Sequence, residues 1–148
     1  MKISAKSRYG LASIVFIAQR YNSGGHITVL NISEKLGISK IYLEQVFSLL
    51  KRSELVTSVK GSQGGYQLAR PPETITVYDV LKAIETGFFE QTPHAVEDDS
   101  NPIEKAMQHL IWKNLDISVQ QFLSGITLAD LVLESSNYAD PDNLMFYI

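Results

Sequence analysis

Apolar residues recur at helical spacing along most of the chain and give way to a short alternating stretch only between Leu55 and Arg70. Ile14, Val15, Ile17, Ala18 and Tyr21 share one face of a helix that Ser4 can cap and that runs to about Tyr21. The break from Asn22 to Gly25 ends it. Thr28 can cap a second, short helix with Val29, Ile32 and Leu36 inward and Gly37 at its stop. Ile38 and Ser39 then lead into a third helix, about 40–52, with Leu43, Val46, Phe47 and Leu50 on one face. Two short helices joined this tightly through a glycine read as a helix-turn-helix. Ser53 stands where a glycine stop is more comfortable, which predicts a frayed end.

Leu55 to Lys60 and Tyr66 to Arg70 read as strands, joined by a loop containing Gly61, Gly64 and Gly65 and ended by Pro71-Pro72. Thr76 opens a fourth helix, with Asp79 placed for a capping box and Val77, Val80, Leu81 and Ile84 inward. Residues 86–100 form a polar, acidic connection. Asn101 then caps a long helix, with Pro102 at its first position and Glu104 three residues after the cap. Running to Ser124, it is about 35 Å long at 1.5 Å per residue. Ile103, Met107, Leu110, Ile111, Leu115, Val119 and Phe122 form its apolar stripe, and Gly125 stops it. Thr127 and Asp130 start a last helix with Leu128, Leu131 and Val132 inward. The tail from Asn137 is acidic and polar until Leu144-Met145-Phe146-Tyr147-Ile148.

These elements make a mainly α fold with a small β-wing. A winged helix-turn-helix domain spans 1–86, dimerisation helices with their connecting loop span 87–136, and a tail spans 137–148. The body is small for so long a stripe. Either the winged-helix body covers it or a second copy of the helix does, and the second favours a homodimer. A dimer sets two recognition helices about one DNA turn, roughly 34 Å, apart and predicts a near-palindromic site.

Charge sharpens the picture. The net charge of -3 divides into +7 over residues 1–70 and -10 over residues 71–148. A basic half suits a polyanion, and the acidic half cannot share that surface. Ser39, Lys40, Tyr42 and Gln45 occupy the polar face at the start of the third helix, where side chains meet base edges. Lys60, Gly61, Gly64 and Gly65 form a hairpin, with Arg70 nearby, that can approach phosphate closely; alternatively its glycines serve turn geometry alone. Lys6, Arg8 and Tyr9 are weaker candidates for phosphate contact, since Tyr9 can equally be core.

The 148 residues contain no cysteine, which removes disulfides and thiolate-bound metals, and no apolar run of the roughly 18 residues needed to span a bilayer. Without a secretion core at the N-terminus, the expected location is cytoplasmic. No nucleophile–base–orienter set and no phosphate-binding loop is present, so no enzyme is expected. His94 and His109 alone make no metal site, and the run Glu97-Asp98-Asp99 reads as a solvated loop.

The chain resembles the Rrf-two family of bacterial winged-helix transcription regulators. The resemblance rests on Ser7-Arg8-Tyr9-Gly10, on Ile38-Ser39 with Tyr42-Leu43-Glu44-Gln45, on Val59-Lys60-Gly61 with Gly64-Gly65-Tyr66-Gln67-Leu68, and on Thr127-Leu128-Ala129-Asp130-Leu131. Many members hold an iron–sulfur cluster through three cysteines in the connection before the long helix. Phe88 to Pro102 has none, so no cofactor is implied here. The start Met1-Lys2-Ile3-Ser4 and the ending Met145-Phe146-Tyr147-Ile148 are most similar to the family's cysteine-metabolism repressors. That likeness implies repression of cysteine and sulfur genes through a complex with cysteine synthase, the O-acetylserine thiol-lyase. This enzyme class accepts a partner's C-terminal isoleucine in its active site, and O-acetylserine dissociates such complexes. Met145, Phe146, Tyr147 and Ile148 would be the partner-binding residues; alternatively they pack on their own dimer. Two further readings stay open: a protein-interaction module acting on the enzyme through Ile148, and a regulator of the same fold with a directly bound small-molecule effector.

Overall fold

The computed structural model describes residues 2–61 and 64–139. Helix α1, Ala5–Ala18, is capped by Ser4, whose hydroxyl accepts from the Ser7 amide at 3.1 Å. It stops short of Tyr21, which belongs to a single 3-10 turn, Tyr21–Ser23, closed by Gly24 at φ 72°. Tyr21 is accordingly exposed rather than inward. Helix α2, Val29–Leu36, has the Thr28 cap and the left-handed Gly37 that its sequence implies.

Helix α3, Lys40–Arg52, does not fray. The Glu54 amide bonds Lys51 O and the Leu55 amide bonds Leu50 O, both at 3.0 Å. This is a Schellman closure with Glu54 in the left-handed position at φ 61°. Leu50 and Leu55, both buried, supply the apolar contact that accompanies it. Helix α3 thus leads directly into strand β1, Val56–Val59, which pairs antiparallel with β2, Gly65–Leu68. Ile27 adds a one-residue third rung through paired bonds with Tyr66 at 2.9 and 2.8 Å.

Helix α4, Val77–Ile84, carries the full Thr76–Asp79 capping box. After a short turn at Thr86–Phe89 the connection leads into one continuous long helix. Its parts are α5, Pro102–Met107, a π-helical turn, Gln108–Trp112, and α6, Lys113–Ser124. Helix α7, Leu128–Ala139, follows. Residues 140–148 lie outside the described residues, and with them Met145, Phe146, Tyr147 and Ile148.

The core is built from α1, α3 and α4 around Ile14, Ile17, Leu43, Val46, Phe47, Leu50 and Val80, all at most 2% exposed. The helices meet at Gly10, where a Cβ would lie 2.8 Å from Val46 Cγ1 and strike Ile84. Helix α7 also packs on this body. Leu128 is fully buried, Leu131 and Val132 pack on the core, and Leu128 N bonds Ile75 O at 2.9 Å. The chain from Asn137 to Ala139 is the end of this helix, so the expected tail is helical at its start.

The long helix packs on α4 but leaves most of its apolar stripe outside. Ile103, Leu110 and Phe122 are 66%, 71% and 69% exposed, and Ile111 and Leu115 are exposed as well. No residue of α6 is buried.

Candidate nucleic-acid interface

The helix-turn-helix is locked by its turn. Gly37 takes φ 68°, and Ser33 Oγ donates to Ile38 O at 2.6 Å, holding α2 against the start of α3. Ser39 caps α3 by position, yet its hydroxyl makes no capping bond, and the residue is exposed. The hydroxyl and the first free amides of α3 are therefore available to an outside acceptor such as a phosphate oxygen.

Lys40 and Gln45 are exposed, as expected of readers. Tyr42 is half-buried, packed against the core, with its ring 5.4 Å from the Tyr9 ring in an edge-on contact. It therefore fixes α3 against α1 and offers only part of its ring outward. Sequence reasoning does not single out Ile41, Glu44 and Ser48, which complete the outward face with Gln45. Ile41 is 70% exposed. The available signal was its register: an apolar residue off the 43, 46, 47, 50 stripe has nothing to bury against. Ile41 can meet a thymine methyl, Glu44 can accept from cytosine N4, and Gln45 can pair with adenine.

In the wing, Lys60 and Gly61 are exposed beyond the end of β1. Gly61 at φ 139° occupies backbone space that other residues rarely adopt. Ser62 and Gln63 lie outside the described residues. Gly64 faces Val59 O too closely for a side chain. Gly65, expected at the DNA, is instead buried at the root of the wing. A Cβ there would sit 2.5 Å from Ile27 O and 2.6 Å from Ile27 C, so its glycine serves the third rung. Arg70 is likewise committed: it bonds Thr74 O at 3.3 Å and forms an ion pair with Asp79 at 3.4 Å. Lys60 is left as the outward cation of the wing.

On α1, Arg8 and Tyr9 are exposed and Lys6 is half-buried. Arg8 Nε donates to Ile3 O at 3.2 Å, and its guanidinium lies 6.0 Å from the Tyr9 ring centre. Through the Tyr9–Tyr42 contact these residues flank the start of α3, so α1 and α3 present one surface.

A family model for an iron-dependent transcriptional regulator, Rrf2, matches residues 3–134. The chain belongs to the Rrf2 family. It is 33% identical to the structure of CymR (YrzC), the global cysteine regulator of B. subtilis, covering 90% of this chain and 98% of that one with a TM-score of 0.75. It is 31% identical to T. potens IscR over 99% and 97% of the two chains, with a TM-score of 0.77. The HTH-type transcriptional regulator IscR of Sodalis glossinidius is 35% identical over 132 residues, 89% of this chain and 79% of that one. The chain is accordingly a DNA-binding transcription regulator of the Rrf2 family with the winged-helix fold. No helix among the described residues is long and apolar enough to cross a membrane.

The family model is described as iron-dependent, and the donors among the described residues do not fit iron. The chain has no cysteine, and among the described residues no group of three His, Asp or Glu could hold a metal. Several donors in and beside the connection are held elsewhere. His94 Nδ1 lies 2.8 Å from Asp99 Oδ1. Glu104 does not close a capping box with Asn101 as its spacing predicts; buried at 1% exposure, it accepts from the Ala95 and Val96 amides at 3.1 and 3.0 Å. Gln108 donates to its other oxygen at 3.1 Å. The Gln108 bond, aided by the two amides and His94, holds the Glu104 carboxyl below its ordinary range.

Proposed function

We propose that the chain is a homodimeric, sequence-specific repressor of cysteine and sulfur metabolism genes, acting in the cytoplasm on a near-palindromic operator. The observation that carries the reading is the pairing of two surfaces: an outward α3 face beside a Lys60 wing, and an uncovered apolar stripe on the long helix. Val119, Phe122 and Leu123 continue that stripe into an apolar groove of about 490 Å³ against Ile3, Leu11, Val77 and Leu81. A second copy of the long helix would cover both stripe and groove, giving a self-complementary two-fold contact. Ser39, Lys40 and Gln45 would then contact DNA in the major groove, and Lys60 and Gly61 the adjacent backbone.

Support for the sulfur pathway is the 33% identity to a global cysteine regulator together with the ending Met145-Phe146-Tyr147-Ile148. In this reading the ending occupies the active site of cysteine synthase, and O-acetylserine releases it. Genome-wide footprinting with and without sulfur limitation tests the proposal. Occupied sites should be paired half-sites about one DNA turn, roughly 34 Å, apart upstream of sulfur genes. Single half-sites, or occupancy indifferent to sulfur, would count against it. The interaction-module reading is separated by a pulldown of cysteine synthase with the full chain and with a chain lacking Ile148. Equal recovery would sink the tail's role.

A further inference from the structure

The acidic half of the chain has three lysines against thirteen Asp and Glu, yet two of those lysines share one pocket. Lys105, His109 and Lys113, four residues apart along the long helix, line a cavity of about 470 Å³ together with Gln91, Thr92 and His94 and the carboxylates of Asp99 and Glu104. Among the described residues no carboxylate lies within ion-pair distance of either lysine.

The acids around the pocket are committed. Glu104 is tied to the Ala95 and Val96 amides and to Gln108, and Asp99 to His94. Asp116 accepts from the Thr92 amide at 3.0 Å and from its hydroxyl at 2.8 Å. The connection is thus pinned to the long helix through Glu104 and Asp116, one on either side of the π-helical turn that carries His109. Asn114 Nδ2 donates to His109 O at 3.1 Å, occupying a carbonyl of that turn. Turns of this type occur frequently at functional sites. The result is a cavity in the size range of small-ligand pockets, with two ammonium groups on one side, amide, hydroxyl and imidazole groups on the other, and the hydrogen-bonded Asp99 and Glu104 carboxylates in its lining.

We propose that this pocket binds a small dianion, of the phosphate, sulfate or dicarboxylate class, between Lys105, His109 and Lys113 on the helix and Thr92 and His94 on the connection. Two ammonium groups and an imidazole match a divalent oxyanion, and the hydroxyl and amide groups can take its remaining oxygens. The proposal gives the directly bound effector a place within each protomer, on the link between α4 and the long helix. It is independent of which genes are regulated.

Calorimetry on the full-length protein without DNA tests it, with inorganic phosphate, sulfate and succinate as probes and acetate as the monovalent comparison. At least one dianion should bind saturably at about 1 mM or tighter, and acetate more weakly. The K105Q/K113Q double variant should weaken that binding by about tenfold or more, and His109→Gln should weaken it less. Lys82→Gln should leave it unchanged, because Lys82 lies outside the pocket, 5.5 Å from the Tyr78 ring centre. Both pocket lysines are exposed, so the double variant should melt like the parent in the absence of ligand. Lack of saturable binding by all three dianions, acetate binding as tightly, or unchanged affinity in the double variant would each overturn the proposal. Since no DNA is present, such a failure leaves the repressor reading standing.

Discussion

Replacing Leu110 by Ala should loosen the dimer without harming the protomer. Leu110 is 71% exposed at the middle of the long helix, so the isolated body gains little from it. Covering such a side chain stabilises by about 1.5–3 kcal/mol at full burial. Part of Leu110 is already covered, and Ala keeps the Cβ, so about 1–2 kcal/mol is at stake in each copy. A two-fold interface uses the residue twice, giving about 2–4 kcal/mol per dimer and a dissociation constant raised roughly 30- to 1000-fold. Sedimentation over a concentration series reads this directly. Leu133→Ala is the control, because Leu133 is equally exposed at 70% but lies on α7, off the stripe. If Leu110→Ala and Leu133→Ala shift the dissociation constant alike, the stripe is not the interface.

Four further outcomes follow from individual contacts. Gly65→Ala should destabilise the fold by about 2–4 kcal/mol in urea unfolding, since the new methyl must displace Ile27 and its two bonds to Tyr66; a loss below about 1 kcal/mol would mean that the wing root adjusts freely. Lys60→Ala should weaken binding to all DNA sequences alike and lower the slope of log affinity against log salt by about one; an unchanged slope removes the wing from the backbone. Glu54→Val should cost about 1–2 kcal/mol in thermal unfolding whereas Glu54→Gly should be neutral or stabilising, because φ 61° strains a β-branched residue and suits glycine; the reverse order would refute the Schellman closure. The depressed Glu104 carboxyl stabilises the connection at pH values above the ordinary Glu range, and that contribution is lost as pH falls through its folded value. The Ala95 and Val96 amide shifts in NMR should therefore titrate below that range, and a midpoint at or above it would contradict the clamp.

Much of the winged-helix architecture was legible because its signals are local. Thr28, Gly37 and Thr76–Asp79 act through backbone groups within a few residues, so a cap or a stop written in sequence became one in the structure. The wing's glycines were legible as a hairpin, but their division of labour was not. Gly65 answers to Ile27, nearly forty residues earlier, and no local pattern reveals that approach. Glu104 misled for a similar reason. Its spacing from Asn101 suits a capping box, but the free amides of Ala95 and Val96 lay within reach and took the carboxylate.

The sequence by itself determined the helices, their order, the two-stranded wing, the basic and acidic halves, and the absence of thiolate chemistry. Periodicity, capping and composition are properties of neighbouring residues, and neighbours are what a sequence displays. Only the tertiary structure decided which side chains remain outside once the core has closed. Packing turned Tyr42 partly inward against Tyr9, drew Arg70 onto Asp79, and left Ile41, Gln45 and Lys60 facing outward. It packed α7 on the body and left Ile103, Leu110 and Phe122 of the long helix exposed. It also gathered Lys105, His109 and Lys113 against residues 91–94. Burial and electrostatic pairing depend on distances between segments far apart in the chain, and those distances exist only in the folded molecule.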